Sequence, residues 1–518
     1  MTPSVSELLE ELSHKRGEIV VDVLLTHSYH LYYDPKQVRK MQPYPPLGTL
    51  YAAALLREQG HSVAVFDSML EDPEQGFPQA LSRHRPSVVA IYEDNFNFLS
   101  KMCLNRMRQV AYGMIEAAKT TGASVVVNGS DASDHVEDYL RKGADAVLLG
   151  EAEWTLLELA GGLLGRREPA LCDIPGLAFY DHSSGGVIRT ARRPLMKNLD
   201  SLPFPARDLI DLEAYREAWQ KAHGFFSLNL VASRGCPYRC NWCAKPIYGD
   251  SFHLHSPQRV AEELRTLKSD CEADHLWFAD DIFGLKARWV QELADWVEHL
   301  EAAVPFKMQS RVDLMKPDNV RGLKRCGCVE AWMGVESGSQ KVLDAMEKWT
   351  RVEQIAKARE SLHQSGIRAC YFLQFGYPGE TWADIQKTIQ LVRETRPDDI
   401  GVSVSYPLPG TRFYQRVHDE LGAKLNWEDS GDLAMMFKGA YTSEFYRTLH
   451  DALHAEVDSW PSGQTWQFSL AQPGSETGHI GSHTTRDLWN KVERLEKTSR
   501  NANPTSLPVL ACSMAGSD

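Results

Sequence analysis

The chain has 518 residues, 43% of them apolar, which is length for about two to four domains whose cores need no disulfide staples. A formal net charge of -13 repels phosphate backbones and excludes nucleic acid as a default partner. No run of about 18 apolar residues marks a membrane span, and the polar start MTPSVSELLEELSHKRGE lacks the apolar core of a secretory signal, so the expected location is the cytoplasm.

Residues 18–165 alternate strand-like and helix-like segments. IVVDVLLT, HSVAVFDS, PSVVAIYED, ASVVVNG and ADAVLLG read as strands. Between them fall the helices LGTLYAAALLREQG and PEQGFPQALSRH, a long helix near Cys103–Thr121, one near His135–Lys142 and one around Glu153–Leu164. Fully apolar strands separated by amphipathic helices predict an α/β, doubly wound, Rossmann-like domain with its ligand at the carboxyl ends of the strands. Residues 166–225 break the rhythm: GLAFYDHSSGGVIRT reads as a hairpin turning at DHSSGG, and LPFPARDLIDLEAY as a linker.

A second alternating region spans 226–412. Its predicted strands are SLNLVAS, HLWFAD, FKMQSR, VEAWMGV, ACYFLQFG and IGVSVSY, six β/α repeats consistent with a full or partial barrel. Residues 413–470 read as a small helical segment containing SEFYRTLHDALHAEV. Residues 471–518, rich in Ser, Thr, Gly and Asn, read as a disordered tail.

Ten cysteines are scattered except for one group, RGCPYRCNWC, which places Cys236, Cys240 and Cys243 as C-x3-C-x2-C directly after the first barrel strand. A cubane iron–sulfur cluster takes four thiolates, so three from one loop leave one iron open to a substrate that chelates through an amine and a carboxylate. Thiolates suit iron–sulfur or zinc over magnesium. A structural zinc site needs a fourth ligand, and the remaining cysteines offer no pair at suitable spacing.

These residues resemble the radical S-adenosylmethionine (radical SAM) superfamily, whose signature is this loop after the first strand of a partial (β/α)6 TIM-type barrel. The resemblance implies a [4Fe–4S] cluster on Cys236, Cys240 and Cys243. S-adenosylmethionine would bind the open iron and be cleaved reductively to a 5′-deoxyadenosyl radical. Trp242 occupies the position of an aromatic that shields the cluster. FADDIFGL stands where the family's glycine-rich segment contacts the methionyl amine, implicating Ala279, Asp280 and Asp281 in place of Gly-Gly-Glu. Arg311, ending the third strand, suits the methionyl carboxylate as a bidentate donor. Glu336 and Ser337, ending the fourth, resemble residues that contact the ribose or carboxylate.

The N-terminal half resembles the cobalamin-binding domain that precedes many such barrels, as in the anaerobic Mg-protoporphyrin monomethyl ester cyclase group. The carrying segments are YPPLGTLYAAALLREQGHSVAVFD, VVVNGSDAS and GADAVLLGEAEWTLLELA. They implicate Pro46, Leu47, Gly48, Gly129, Ser130, Gly150 and Glu151 as cobalamin contacts, together with Glu93 and Asn95 after the third strand. The D-x-H-x-x-G motif is absent, and His27, His30 and His135 do not replace it, implying a cobalt with no protein histidine below it. Only Cys103 and Cys172 precede the signature and only Cys512 lies beyond Cys370, which sets aside auxiliary clusters.

The resemblance implies methyl transfer to an unactivated carbon of a small molecule, with an electron donor such as flavodoxin or ferredoxin as partner. A cobalamin-dependent oxidative cyclase reaction, a radical SAM enzyme that has lost cobalamin, and a non-catalytic metal-binding protein are the alternatives. The sequence names no substrate.

Overall fold

The computed structural model describes residues 20–166, 170–460 and 484–499. Apolar runs become two separate parallel sheets, and the amphipathic segments become the helices that cover them. The N-terminal sheet contains β1 (Val23–Thr26), β2 (Val63–Phe66), β3 (Val88–Tyr92), β4 (Ser124–Asn128) and β5 (Ala146–Leu148). Its order is β2-β1-β3-β4-β5, all parallel, the doubly wound arrangement expected. Crossovers include α1 (Leu47–Glu58), α2 (Pro73–His84), α3 (Asn105–Thr120) and, after β5, α4 (Glu153–Leu163).

The predicted hairpin forms as β6 (Leu177–Asp181) and β7 (Gly186–Arg189), but it is more than a linker. β6 pairs antiparallel with β5, so the hairpin widens the N-terminal sheet to seven strands. Leu177 and Ala178 are fully buried, and that burial draws the hairpin onto the edge of the sheet. The connector then carries a 12-residue helix, α5 (Leu212–His223), capped by Asp211 and ended by Gly224 in the left-handed region.

The second sheet has six parallel strands in the order β13-β12-β11-β10-β9-β8. They are β8 (Ser227–Leu230), β9 (His275–Phe278), β10 (Phe306–Arg311), β11 (Cys328–Glu336), β12 (Arg368–Phe375) and β13 (Asp399–Val404). Six strands joined only to sequential neighbours make a partial barrel, open between β8 and β13. The N-terminal segment seals its floor: Tyr44 packs on Trp219 and Trp277, and Asn229 donates to Pro45 O at 2.9 Å.

Helix α6 (Ser443–Asp458) realises the predicted C-terminal helical segment. The expected tail is corrected in part, because Thr485–Thr498 forms helix α7. Thr484 and Asp487 close a capping box at its start, buried Leu488 and Val492 face the core, and Tyr441 donates to Glu496 at 3.1 Å. The other residues of 471–518 lie outside those described. Among the described residues no helix is long and apolar enough to cross a membrane.

Candidate active site at the domain junction

The cluster loop leaves β8 and is anchored before its first cysteine. Asp280, at the end of β9, accepts from Ala232 N at 3.1 Å and from the Ser233 hydroxyl. Its carboxyl is therefore turned into the protein, and burial pushes it up to about 7. Ala279 N donates to Leu230 O at 2.9 Å, continuing the β8–β9 register to the strand ends. Gly235 has φ +79°, and a Cβ there would stand 2.2 Å from Ser251 O, so only glycine turns the chain into the loop.

Cys236, Cys240 and Cys243 are all free thiols on this loop. Burial pushes Cys243 up to about 12 and raises Cys236 as well. Thiols this desolvated ionise only when a cation compensates them, which is the donor chemistry a metal cluster supplies. Among the described residues no three His, Cys, Asp or Glu side chains converge on one metal-sized point. Thiolates that serve three different irons of a cubane need no such convergence. Cations of the chain surround the loop instead. Lys245 donates to Cys236 O at 2.9 Å, and Arg311 Nη1 stands 3.9 Å from Cys240 Sγ.

Arg311 is also held by Asp313, Lys348 O and Thr350, and its guanidinium lies 3.8 Å from the Tyr238 ring centroid. Glu336 adopts φ +62° and pairs with buried Lys348 at 2.8 Å. Gly334 gives this pair its room, because a Cβ there would stand 2.6 Å from Lys348 Nζ and displace it. Ser337 is fully buried and bonds Thr388 and Ser339, facing away from open space. Trp242 is partly buried, with its indole N–H unpartnered and Lys348 Nζ 6.0 Å from its ring. Asp281 bridges to Lys101 of the N-terminal domain.

On the N-terminal side, the predicted contacts gather at the carboxyl ends of β1, β3, β4 and β5. Pro46 and Leu47 are buried at the start of α1, and Gly48 N donates to Asp94 at 3.0 Å. A Cβ on Gly48 would stand 2.8 Å from Glu93 O, and one on Gly129 (φ +155°) 2.7 Å from Glu93 Cγ. Glu93 accepts from Ser28 N at 3.1 Å, and burial pushes its carboxyl up to about 7. Asn95 donates to Asn128, which in turn donates to Leu148 O and Gly150 O. Asp94 Oδ2, Asn95 Oδ1 and Ser130 Oγ are buried without partners. Orphaned polar atoms beside glycines that admit no side chain fit a bulky ligand edged with amides. His27 is engaged at both ring nitrogens, by Asp67 and Ser68. His30 bonds Ser68 O, and His135 stands 3.7 Å from Asp138.

Sequence reasoning missed the residue that joins the two halves. Arg234, next but one before Cys236, reaches Glu151 at 2.6 Å and Glu153 at 2.8 Å, all three buried. Tyr51, Phe96 and Tyr248 stand 5.2–5.5 Å from its guanidinium. Glu151 also accepts from Met196 N at 2.5 Å, so both its oxygens are spent within the protein. Gly150 (φ +73°) lies beside Ile247 O of the cluster loop. The arrangement sets the last strand end of one domain against the first loop of the other. An Arg just ahead of the signature and a Gly-Glu-x-Glu run 83 positions upstream were the available signal.

Comparison with known proteins agrees with this layout. Residues 230–392 match the Radical SAM superfamily model, and residues 41–160 match the B12 binding domain model. An uncharacterized methyltransferase of Pyrococcus horikoshii is 28% identical over 74% of this chain and 81% of its own length. The bacteriochlorophyllide d C-8(2)-methyltransferase of Chlorobaculum tepidum is 23% identical over 68% of this chain and 75% of its own. The radical S-adenosylmethionine methyltransferase TsrM of Kitasatospora setae, solved with cobalamin and a [4Fe-4S] cluster, shares the fold. Its TM-score is 0.64 at 17% identity, over 77% of this chain and 75% of that one. The chain carries a B12-binding domain ahead of a radical SAM domain.

Proposed function

We propose that the chain is a cobalamin-dependent radical SAM methyltransferase that places a methyl group on an unactivated carbon of a small molecule. One observation carries this reading: the Arg234–Glu151–Glu153 lock holds the cluster loop against the strand ends of the B12-binding domain, so both cofactor sites open on one junction. When bound, the cluster supplies the electron that cleaves S-adenosylmethionine, and the corrinoid carries the methyl group.

The chain's own residues bind, orient and exclude water. Cys236, Cys240 and Cys243 are the cluster ligands. Arg311, with Nε spent on Asp313 and Nη2 on Lys348 O and Thr350, has only Nη1 left for the methionyl carboxylate, and offers it from a side chain already fixed in place rather than as a bidentate fork. The Ala279–Asp281 backbone faces the methionyl amine, since the Asp280 side chain is committed inward. Trp242 covers the cluster, and the Lys348–Glu336 pair borders the nucleoside. Gly48, Gly129, Ser130, Asn95 and Gly150 border the corrinoid, while Glu151 acts through Arg234. Electrons come from a flavodoxin or ferredoxin.

Product analysis of the anaerobically reconstituted protein with its substrate tests this. S-adenosylhomocysteine formed together with 5′-deoxyadenosine supports methyl transfer, and 5′-deoxyadenosine alone overturns it in favour of a cyclase-type or other radical outcome.

A further inference from the structure

We infer that Trp349 and the arginines on the outer side of the cluster loop form the docking surface for an acidic flavodoxin. This rests on the reading that the barrel performs radical chemistry, and it names the partner surface of that same site. Among the described residues Trp349 is the most exposed large apolar side chain, at 74%. Its backbone sits at φ +61°, in the left-handed region that a bulky residue enters only when its surroundings hold it there. Both neighbours are held. Lys348 is buried and paired with Glu336, and Thr350 is fully buried. Arg311 Nη2 donates to Lys348 O at 2.7 Å and to Thr350 at 3.2 Å, while its Nη1 stands 3.9 Å from Cys240 Sγ. The chain thus fixes the residues on each side of Trp349 beside the cluster loop and leaves the indole between them in solvent.

The cluster loop reaches the same surface. Asn241 N donates to Met346 O at 3.1 Å, and Phe413 N donates to Asn241 O at 2.9 Å. The loop is therefore wedged between the 345–350 turn and the helix Arg412–Val417. Arg412 spans the seam, donating to Arg239 O at 3.0 Å and to Glu347. Arg239, between Cys236 and Cys240, has its side chain 77% exposed, and Arg351 and Arg416 are exposed on the flanking segments. Across residues 236–243, 345–351 and 411–416 these four arginines are set against one carboxylate, Glu347, once Lys348 is paired with Glu336. Asp250, 3.4 Å from Arg239, is also held by Lys245. A chain of net charge -13 thus turns a positive patch outward over its cluster loop.

The chemistry of the patch selects the partner. An exposed indole ringed by arginines has the composition of an interface centre, and the positive charge selects an acidic protein. The indole suits a donor whose own redox group is a flat ring reaching its surface. A flavodoxin meets both conditions: its reduced flavin loses one electron, the cluster gains that electron, and no bond is made or broken. A ferredoxin shares the charge but offers no ring.

The test is calorimetric titration of an FMN-loaded bacterial flavodoxin into the anaerobically reconstituted full chain at low and at high salt. The flavodoxin should bind, and less tightly at high salt. Trp349→Gly suits the φ +61° backbone, so it should be at least as stable as the parent yet bind flavodoxin about tenfold or more weakly, the scale of a lost interface anchor. Arg239→Glu should weaken binding and flatten its salt dependence; should that variant fail to load its cluster, Trp349→Gly decides the matter. Dithionite needs no docking, so it should drive 5′-deoxyadenosine formation equally in the parent and in Trp349→Gly, whereas reduced flavodoxin should drive it more slowly in the variant. Unchanged flavodoxin affinity in Trp349→Gly, no binding to the parent, binding indifferent to salt, or a ferredoxin bound in place of flavodoxin overturns the proposal. So does an equal loss of dithionite-driven and flavodoxin-driven cleavage in Trp349→Gly. Binding is read without turnover, so a parent that binds flavodoxin but forms no 5′-deoxyadenosine even with dithionite counts against the radical chemistry and leaves the docking surface standing.

Discussion

The two parallel sheets present their carboxyl ends to the same junction but prepare them differently. In the barrel, cations converge on a loop of desolvated thiols: Lys245 on its backbone, Arg311 beside Cys240, and Lys348 behind Arg311. In the N-terminal sheet, the strand ends carry glycines, buried carboxyls and unpartnered polar atoms, and His27 and Lys101 are the positive groups nearest Glu93 and Asp94. The first surface suits an anionic inorganic cluster and a carboxylate. The second suits a large neutral ligand held by shape and hydrogen bonds. One fold class thus yields two sites whose difference lies in the few residues after each strand.

The sharpest break in that contrast comes from the thiols. Replacing Cys236, Cys240 or Cys243 singly with Ala should abolish cluster loading, measured as iron and sulfide content, and leave cobalamin binding intact. Next is the lock between the halves. Arg234→Ala strands two buried carboxylates, which costs about 3–5 kcal/mol, and the apparent Tm should fall accordingly. Arg311→Lys keeps the charge but loses the planar fork. S-adenosylmethionine affinity should drop about 10- to 100-fold, the scale of lost charge-assisted hydrogen bonds, as read by equilibrium binding.

The N-terminal side should answer to pH instead. Burial raises the Glu93 carboxyl to about 7 from an ordinary value of 4.5. The folded state therefore holds a proton that the unfolded chain releases, and stability falls as pH rises from about 4.5 through 7. Glu93→Gln should flatten that decline by about 1–3 kcal/mol at pH 8 in denaturant titrations. At the smallest end, the exposed Arg288–Glu292 pair on helix Ala287–His299 should contribute under about 0.5 kcal/mol, so Arg288→Ala leaves stability and both sites unchanged.

Much of this was legible in the chain. Apolar runs of the right length announced both parallel sheets, because a strand covered on two faces has no alternation to hide it. The C-x3-C-x2-C spacing singled out its loop because all three cysteines lie within one local stretch. What stayed hidden was non-local. Nothing in GLAFYDHSSGGVIRT tells a free hairpin from one that pairs with a sheet edge. The Arg234 lock needs partners 83 positions away. Helix α7 was masked by the composition of its surroundings, although Thr484 and Asp487 spell a capping box ahead of Leu488 and Val492.

The central claim is a cubane held by three protein thiolates, with its fourth iron left for S-adenosylmethionine. Mössbauer spectroscopy of the anaerobically reconstituted, iron-57-labelled protein, with and without S-adenosylmethionine, tests it most directly. One iron site of a [4Fe–4S] cluster should change its isomer shift on addition of S-adenosylmethionine, and the other three should not. A spectrum indifferent to S-adenosylmethionine, or one showing no cubane at all, would contradict the account.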